Sequence, residues 1–337
     1  MKTFIATLII ASAQAGIVNY VRKVLGISEI DQGKFENLRA HFMAEKNDAF
    51  TPITITVEGE KVTKYIASDG CMGKDSDFLC PEGKRGYIHN TPTFDTAKPD
   101  YFFPSLLGKK VEWDVDLSKA ECGCIHSFYS VSMPGYDEAG ALDLTDGYGY
   151  CDSNYGQFGG QFCPEFDFME ANKYAFQTTP HVCDKTFWTG HYASCDGHGA
   201  NINSVDELGE TGYGPGSQYT IDTTKPFHVK VELFDYNDEF GEVLTMFSQE
   251  GRCKTMRNRN SKYLNLMTEA VDEGQVFVLS SWKATNNWLT KQTCDVEADK
   301  CSSNPTATIS NISISTSNGA SRYGDECPGG FWKPNKY

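Results

Sequence analysis

The stretch CPEFDFMEANKYAFQTTPHVC, residues 163–183, places three carboxylates among aromatic and apolar neighbours within six positions. Side chains along an extended strand alternate between two faces, so Glu165 and Asp167 would share one face while the two phenylalanines of the motif point into a core. Strict alternation would then turn Glu170 towards the core, which is a poor place for a charge. We therefore predict a β-bulge between Asp167 and Glu170 that returns Glu170 to the acidic face.

Short β-like runs separated by turn residues extend in both directions from this stretch. Alternating apolar and polar positions occur in TPITITVEG, KKVEWDVDLS, PFHVKVELFDY and TATISNISIS, and glycine-rich segments lie between such runs. Many strands with little helix between them indicate two antiparallel sheets packed as a sandwich or jelly roll. The sequence therefore predicts an all-β fold.

The N-terminal part of the chain has a different character. Residues 1–15 combine an early lysine, an apolar run and Ala13-Gln14-Ala15, the pattern of a cleaved secretory signal. Residues 16–60 are predicted to be a helical or extension segment, because residues 16–50 carry apolar side chains at helical spacing. The main β domain is assigned to residues 61–337. We expect a secreted, extracellular protein.

Twelve cysteines lie beyond the predicted signal, and an even number in a secreted chain indicates disulfides. Proximity alone suggests the pair Cys71–Cys80. A zinc site at Cys183 and Cys195 with His181 and His198 is the alternative, but the spacing is not a strong zinc-finger pattern and an oxidising compartment favours pairing.

The net charge of −15 argues against nucleic acid and anionic membranes as partners, since both are bound by clustered Lys and Arg. Aromatic residues make up 13% of the chain, and many stand beside Gly and Asn. That composition is compatible with a neutral sugar ligand on an aromatic surface, although ordinary core packing explains most of these residues.

The three acids have a chemical use if the bulge brings Glu165 and Glu170 towards the separation of about 5–5.5 Å that retaining glycosidases use. One carboxylate would attack the anomeric carbon and the other would serve as acid and then base, while Asp167 would keep their pKa values apart. A solvated acidic face or a calcium site is the alternative. We expect no cofactor and no metal.

The motif EFDFMEAN followed by TPHVC resembles the active-site segment of glycoside hydrolase family 7, the secreted cellobiohydrolases and endo-β-1,4-glucanases. SLLGKKVEWDVDLSKAECG, YSVSM, GYCDSN, GYGPGSQYTIDTTKPF, VLSSW and NPTATISNISIST match in the same order, so that the similarity covers roughly residues 100–320. The resemblance implies a β-jelly-roll catalytic domain.

By this resemblance Glu165 would be the nucleophile, Asp167 its hydrogen-bonding partner and Glu170 the acid/base. The other implied contacts to substrate come from four residues, Tyr129, His181, Trp282 and Trp288. The resemblance also suggests the disulfides Cys151–Cys163, Cys183–Cys195 and Cys122–Cys301.

Several features depart from the family pattern. Lys283 replaces an expected acidic residue, Ile125 an expected asparagine, and a product-side arginine is missing. The segments after GYCD and after Cys195 are short, and long excursions are needed to roof a tunnel. We therefore expect an open substrate cleft and endo action.

The resulting hypothesis is a secreted, monomeric, retaining hydrolase of β-1,4-glucan. The alternatives are a β-1,3 or mixed-linkage glucanase of the family 16 type and a non-catalytic glycan-binding protein on the same fold.

Overall fold

A computed structural model describes residues 50–319 apart from 69, 138, 145–147, 159, 185–191, 292, 296–300, 302–303 and 305. The predicted signal and residues 16–49 of the predicted extension lie outside the described residues.

Strands dominate the described part of the chain. They are β1 (Phe50–Val57), β2 (Glu60–Ser68), β3 (Met72–Lys74), β4 (Asp77–Leu79), β5 (Lys84–His89), β6 (Lys109–Asp116), β7 (Cys124–Val131), β8 (Cys151–Asp152), β9 (Gln161–Phe162), β10 (Glu165–Ala171), β11 (Phe176–His181), β12 (Ile202–Asn203), β13 (Tyr213–Gly214), β14 (Ile221–Asp222), β15 (Phe227–Tyr236), β16 (Glu239–Gln249), β17 (Arg252–Asn258), β18 (Val276–Lys283) and β19 (Thr308–Thr316). Short helices are α1 (Ser204–Glu207), α2 (Ser261–Leu264) and α3 (Thr268–Glu273), with 3-10 turns at Tyr155–Phe158 and Asn265–Met267.

The long strands form one continuous hydrogen-bonded path that folds back on itself. Its front half runs β12-β11-β10-β7-β18-β5-β2, and its back half runs β1-β19-β6-β15-β16-β17. Most neighbours are antiparallel, with β1 and β19 parallel. The predicted sandwich is confirmed.

The main hydrophobic core lies between the two halves. Trp113 of β6 meets Phe128 of β7 with ring centroids 5.1 Å apart, and Phe247 of β16 meets Phe176 of β11 at 4.8 Å. All four side chains are fully buried, and each contributes roughly 1.5–3 kcal/mol of hydrophobic stabilisation. This packing makes the front half a rigid platform.

The centre of the front half is covered on both faces. Every residue of β7 is buried, whereas the outward positions of β6 on the back half are partly exposed. On the face away from the core, Tyr129 and Val131 of β7 belong to a second hydrophobic cluster, which also includes Tyr150. Side chains on that covered face are therefore shielded from bulk water.

The predicted boundary at residue 60 runs through the main sheet. Strand β1, which the prediction assigned to the N-terminal extension, pairs with β2 along its full length and with β19. Among the described residues, no helix is both long and apolar enough to cross a membrane.

Five disulfides join described residues. Cys71–Cys80, Cys151–Cys163 and Cys183–Cys195 are as predicted, which removes the cysteine ligands of the alternative zinc site. The predicted pair Cys122–Cys301 is wrong, because Cys301 bonds Cys124 and Cys122 bonds Cys294. Two cysteines only two residues apart reach the same distant loop, and spacing along the chain cannot tell which one takes which partner.

Candidate active site

The predicted bulge is present in β10. On the β7 side, Asp167 pairs with Tyr129 and Met169 with Phe128, and on the β11 side the register shifts between Asp167 and Glu170. Phe168 and Met169 therefore occupy one position of each neighbouring strand. Both of their side chains are fully buried in the main core. The extra residue thus turns Glu170 to the face that carries Glu165 and Asp167.

A row of side chains crosses the front half on that face. Cross-strand partners point the same way, and Glu165 lies opposite His181 while Asp167 lies opposite Tyr129. Glu170 lies opposite Ser127, whose hydroxyl accepts a hydrogen bond from Trp282 Nε1 at 3.3 Å. Four adjacent strands, β11, β10, β7 and β18, thus bring together residues from distant parts of the chain.

Glu165 is held by two hydrogen bonds from one residue. Its Oε2 accepts from the Ser153 hydroxyl at 2.7 Å and from the Ser153 backbone N–H at 3.0 Å. Ser153 follows β8, which the Cys151–Cys163 disulfide ties to the start of β10. Burial, with the charges of Asp167 and Asp152, raises the pKa of Glu165, and the Ser153 hydrogen bonds oppose that rise.

Asp167 and His181 form a buried pair. His181 Nε2 lies 3.0 Å from Asp167 Oδ2, and Nδ1 donates to the carbonyl oxygen of Asp196 at 2.8 Å. Burial lowers the pKa of His181, but the hydrogen bond to Asp167, the charges of Asp167 and Glu165, and the Asp196 carbonyl together raise it to about 10. Burial also raises the pKa of Asp167, and the hydrogen bond and charge of His181 oppose that rise. The 3.0 Å contact favours an imidazolium beside a carboxylate.

Glu170 differs from Glu165 in its surroundings. Its side chain keeps some solvent exposure, whereas Glu165 is 7% exposed. Burial and then the charge of Asp167 raise the pKa of Glu170, and a hydrogen bond with Gln177 opposes the rise. Two hydrogen bonds from Ser153 stabilise the ionised form of Glu165. If one of the two glutamates is protonated, Glu170 is therefore the better place for the proton.

One group of side chains among the described residues is close enough together to hold a metal ion. It consists of Glu165, Asp167 and His181, whose potential ligand atoms all lie within 4.8 Å of one another. Carboxylate and imidazole donors suit a divalent cation. The raised pKa of His181 opposes binding, since a protonated nitrogen cannot be a ligand. The expectation of no metal remains a prediction.

Tyr129 is buried within a polar network. Its hydroxyl accepts from Arg85 Nε and lies 3.0 Å from the Tyr150 hydroxyl, which donates to Asp152 Oδ2 at 2.5 Å. The Arg85 guanidinium also stacks 3.6 Å above the centre of the Tyr150 ring. This network provides hydrogen-bonding groups next to the carboxylates.

Trp282 and Trp288 lie beyond Ser127 at the other side of the acids. Their rings stack nearly parallel, with centroids 6.0 Å apart and planes inclined by 11°. Both are partly exposed, and they pack against a small cluster that contains the fully buried Ile125. Lys283 follows Trp282 and pairs with Cys124 at the end of β18.

Sequence reasoning assigned no role to Arg85, Tyr150, Ser153 or Asp196. Ser153 stands in the GYCDSN motif, so the match there was a usable signal. Arg85 lies in a region without a convincing resemblance, and Asp196 acts through its backbone carbonyl. The roles of the predicted site residues themselves remain proposals.

Comparison with known proteins agrees with this arrangement. Residues 153–266 match the model of "Glycosyl hydrolase family 7". Endoglucanase EG-1 of Trichoderma longibrachiatum is 28% identical over 246 residues, covering 62% of this chain and 51% of that protein. Endoglucanase 1 of Humicola insolens is 28% identical over 242 residues, covering 56% and 58%. The chain spans about half the length of the curated relatives it matches.

Solved structures extend the likeness to the fold. An endoglucanase I complexed with cellobiose aligns with a TM-score of 0.63 at 19% identity, covering 79% of this chain and 96% of that one. A cellobiohydrolase from Daphnia pulex aligns with a TM-score of 0.58 at 18% identity, with the same coverage. These neighbours are jelly-roll sandwiches, as predicted here. The model of glycosyl hydrolase family 7 matches the segment that holds the carboxylates and His181, and the chain is similar to members of that family in sequence and in fold.

Proposed function

We propose that the protein is a secreted, retaining glycoside hydrolase that cleaves β-1,4-glucan at internal bonds. The observation that carries the proposal is the bulge at Phe168 and Met169, which gathers Glu165, Asp167 and Glu170 on one face. A non-catalytic glycan-binding protein has no need of three buried or partly buried carboxylates on one face, one of them hydrogen-bonded to a buried histidine.

In the first step Glu165 attacks the anomeric carbon of the bound sugar. The bond from that carbon to the leaving glucan oxygen breaks, and Glu170 gives its proton to that oxygen. In the second step Glu170 takes a proton from water, the water oxygen bonds the anomeric carbon, and Glu165 is released. Two inversions at the same carbon give net retention.

The environments of the two glutamates support this division of roles. Ser153 donates two hydrogen bonds to Glu165, which favours the ionised nucleophile. Burial and the Asp167 charge raise the pKa of both glutamates, and the two Ser153 donors distinguish Glu165 from Glu170, which leaves Glu170 as the proton carrier of this proposal. The charge of Asp167 raises the pKa of both glutamates and the charge of Glu165 raises that of Glu170, while the charge of His181 opposes these shifts.

The choice of substrate rests on relatives and on side chains. The curated relatives are named endoglucanases, and one solved neighbour is a complex with cellobiose. The stacked Trp282 and Trp288 offer a flat apolar face of the kind that packs on a pyranose ring. Short segments near Cys163 and Cys195 favour an open cleft and endo action, and the disulfides favour secretion. We expect a monomer.

Activity is tested on carboxymethyl cellulose, barley β-glucan, xyloglucan, xylan and laminarin by release of reducing ends. We expect turnover on the β-1,4-glucans, with viscosity falling early in the reaction. Glu165→Gln and Glu170→Gln should each lower kcat by at least about 10³-fold. Glu112→Gln is the matched control, because Glu112 is a partly buried glutamate on the outward face of β6.

Azide separates the two roles on an aryl β-cellobioside. For Glu170→Ala, azide should attack the glycosyl-enzyme, raise the rate and give the β-glycosyl azide. For Glu165→Ala, azide should replace the nucleophile and give the α-glycosyl azide. Cleavage of laminarin alone would establish the β-1,3 alternative, binding without turnover would establish the binding protein, and an α-anomer as first product would refute retention.

A further inference from the structure

One sequence motif is left unused by the catalytic proposal. Asn311-Ile312-Ser313 is the single N-x-S/T triplet of the printed sequence whose middle residue is not proline, since Asn304 is followed by Pro305. This triplet is the acceptor signal for N-linked glycosylation in secreted chains. Chance triplets often lie in buried strands, so the position of Asn311 decides whether the signal has a use.

Asn311 lies at a bulge in β19. The register with β6 shifts between Ser310 and Ser313, and Asn311 has the left-handed φ of 55°. Ile309 and Ile312 on either side are buried in the main core, whereas Asn311 is exposed. The bulge therefore pushes this one side chain out of an otherwise regular strand.

The hydrogen bond of Asn311 is compatible with a glycan. Its Nδ2 donates to Asp114 Oδ2 at 2.9 Å, and Asp114 Oδ1 is itself bonded to His228. An asparagine amide carries two hydrogens, and glycosylation replaces one of them. The remaining N–H can keep the bond to Asp114, which would hold the first sugar at a fixed angle over β6 and β15.

The position also keeps a glycan away from the carboxylates. Asn311 lies on the outward face of the back half, and Glu165 lies on the opposite face of the front half. The main core, with Ile309 and Ile312 on its back side and Phe166 on its front side, fills the space between them. A bulky, hydrophilic group at Asn311 can therefore cover the outer sheet without touching the site.

Backbone geometry alone offers a competing explanation, because asparagine tolerates the left-handed conformation better than most residues. That explanation accounts for Asn311, but it requires no hydroxyl residue two positions later. Ser313 completes the acceptor signal, so the two explanations make different predictions for changes at residue 313.

We propose that Asn311 is an N-glycosylation site. The Nδ2 atom would bond the anomeric carbon of an oligosaccharide carried on a lipid pyrophosphate, the bond from that carbon to the pyrophosphate would break, and Nδ2 would lose one proton. The proposal rests on passage through the secretory pathway and not on hydrolytic activity.

The test is secretion of the full chain from a eukaryotic host, with intact mass measured before and after peptide-N-glycosidase treatment. We expect a glycan on the wild type, its complete loss in Ser313→Ala, and retention in Ser313→Thr. Asn311→Gly, which also suits the left-handed backbone, should lose the glycan without loss of secretion. Activity should be unchanged by enzymatic removal of the glycan.

An unmodified wild-type chain secreted by such a host would overturn the proposal, as would a glycan that persists in Ser313→Ala. A glycosylated chain without hydrolase activity would leave this inference intact and refute the catalytic proposal instead.

Discussion

The substitution Asp167→Asn tests the ion pair at the centre of the site. It preserves the size of the side chain and removes its charge, so that the neighbouring His181 loses the main partner of its imidazolium form. The pKa of His181 is raised from 6.5 to about 10 in the folded protein. At about 1.4 kcal/mol for each pH unit, this difference corresponds to an upper limit of roughly 5 kcal/mol.

The sign follows from linkage. A histidine whose pKa is raised by folding stabilises the protein fully below pH 6.5, and this contribution is lost as the pH rises through 10. Glu165 and the Asp196 carbonyl contribute to the raised pKa and stay in the variant. We therefore expect Asp167→Asn to remove about half of the pH dependence, or roughly 2 kcal/mol of the free energy of unfolding.

Urea unfolding at pH values from 6 to 10 measures the effect, and kcat on a β-1,4-glucan is followed in parallel. Asp114→Asn is the matched control, because Asp114 pairs with His228, whose pKa is raised to about 9 on the outward face. Both variants should flatten the stability profile, but only Asp167→Asn should lower kcat, on the order of 10²-fold. An unchanged profile in Asp167→Asn, or a His181 resonance that titrates near pH 6.5 in the wild type, would refute the ion pair.

Three further results are expected. Tyr263→Phe removes a hydroxyl that donates to Asp196 Oδ2 at 3.0 Å and accepts from Val182 N–H at 3.2 Å. It should lower the free energy of unfolding by about 1 kcal/mol and reduce kcat more than it changes KM, as measured by unfolding and steady-state kinetics. Equal kcat values would show that the Tyr263 hydroxyl does not position His181 through Asp196. Gly199→Ala should lower the free energy of unfolding by about 1–3 kcal/mol and remove most of the activity, because φ is 61° and a Cβ would lie 2.5 Å from the Pro180 carbonyl oxygen. Gly209→Ala is the control, since Gly209 also has a positive φ but open space around it, and it should destabilise the protein less and leave activity unchanged. Dialysis against a chelator should leave activity unchanged, and a loss that added calcium or zinc restores would make the buried carboxylate cluster a metal site.

The most local features of the site are predictable from sequence. An apolar pair and three acids within six residues leave one arrangement that spares Glu170 from the core, and the structure has that bulge. Strand alternation likewise identifies the core-facing phenylalanines. These predictions succeed because burial of a charge costs more than one irregular strand position.

Features that depend on chain crossings are not predictable in this way. Arg85 reaches Tyr129 across the sheet from 44 residues away, and Tyr263 reaches Val182 from 81 residues away. The predicted pair Cys122–Cys301 is wrong for the same reason, since the partners of Cys122 and Cys124 both arrive from one distant loop. Local patterns carry no information on which distant segment arrives at a given point.

The bulge in β10 links the spacing of the acids to the filling of the hydrophobic core. Phe168 and Met169 both point into the core at one strand position. Deletion of either residue would shift every following side chain to the opposite face of the strand, and Glu170 would point into the core. Exchange of either one for another apolar residue of similar volume leaves the direction of the strand unchanged. The two residues between Asp167 and Glu170 can therefore be exchanged for other apolar residues, but their number cannot change. A search for distant relatives should keep the interval from Asp167 to Glu170 constant and let these two residues vary.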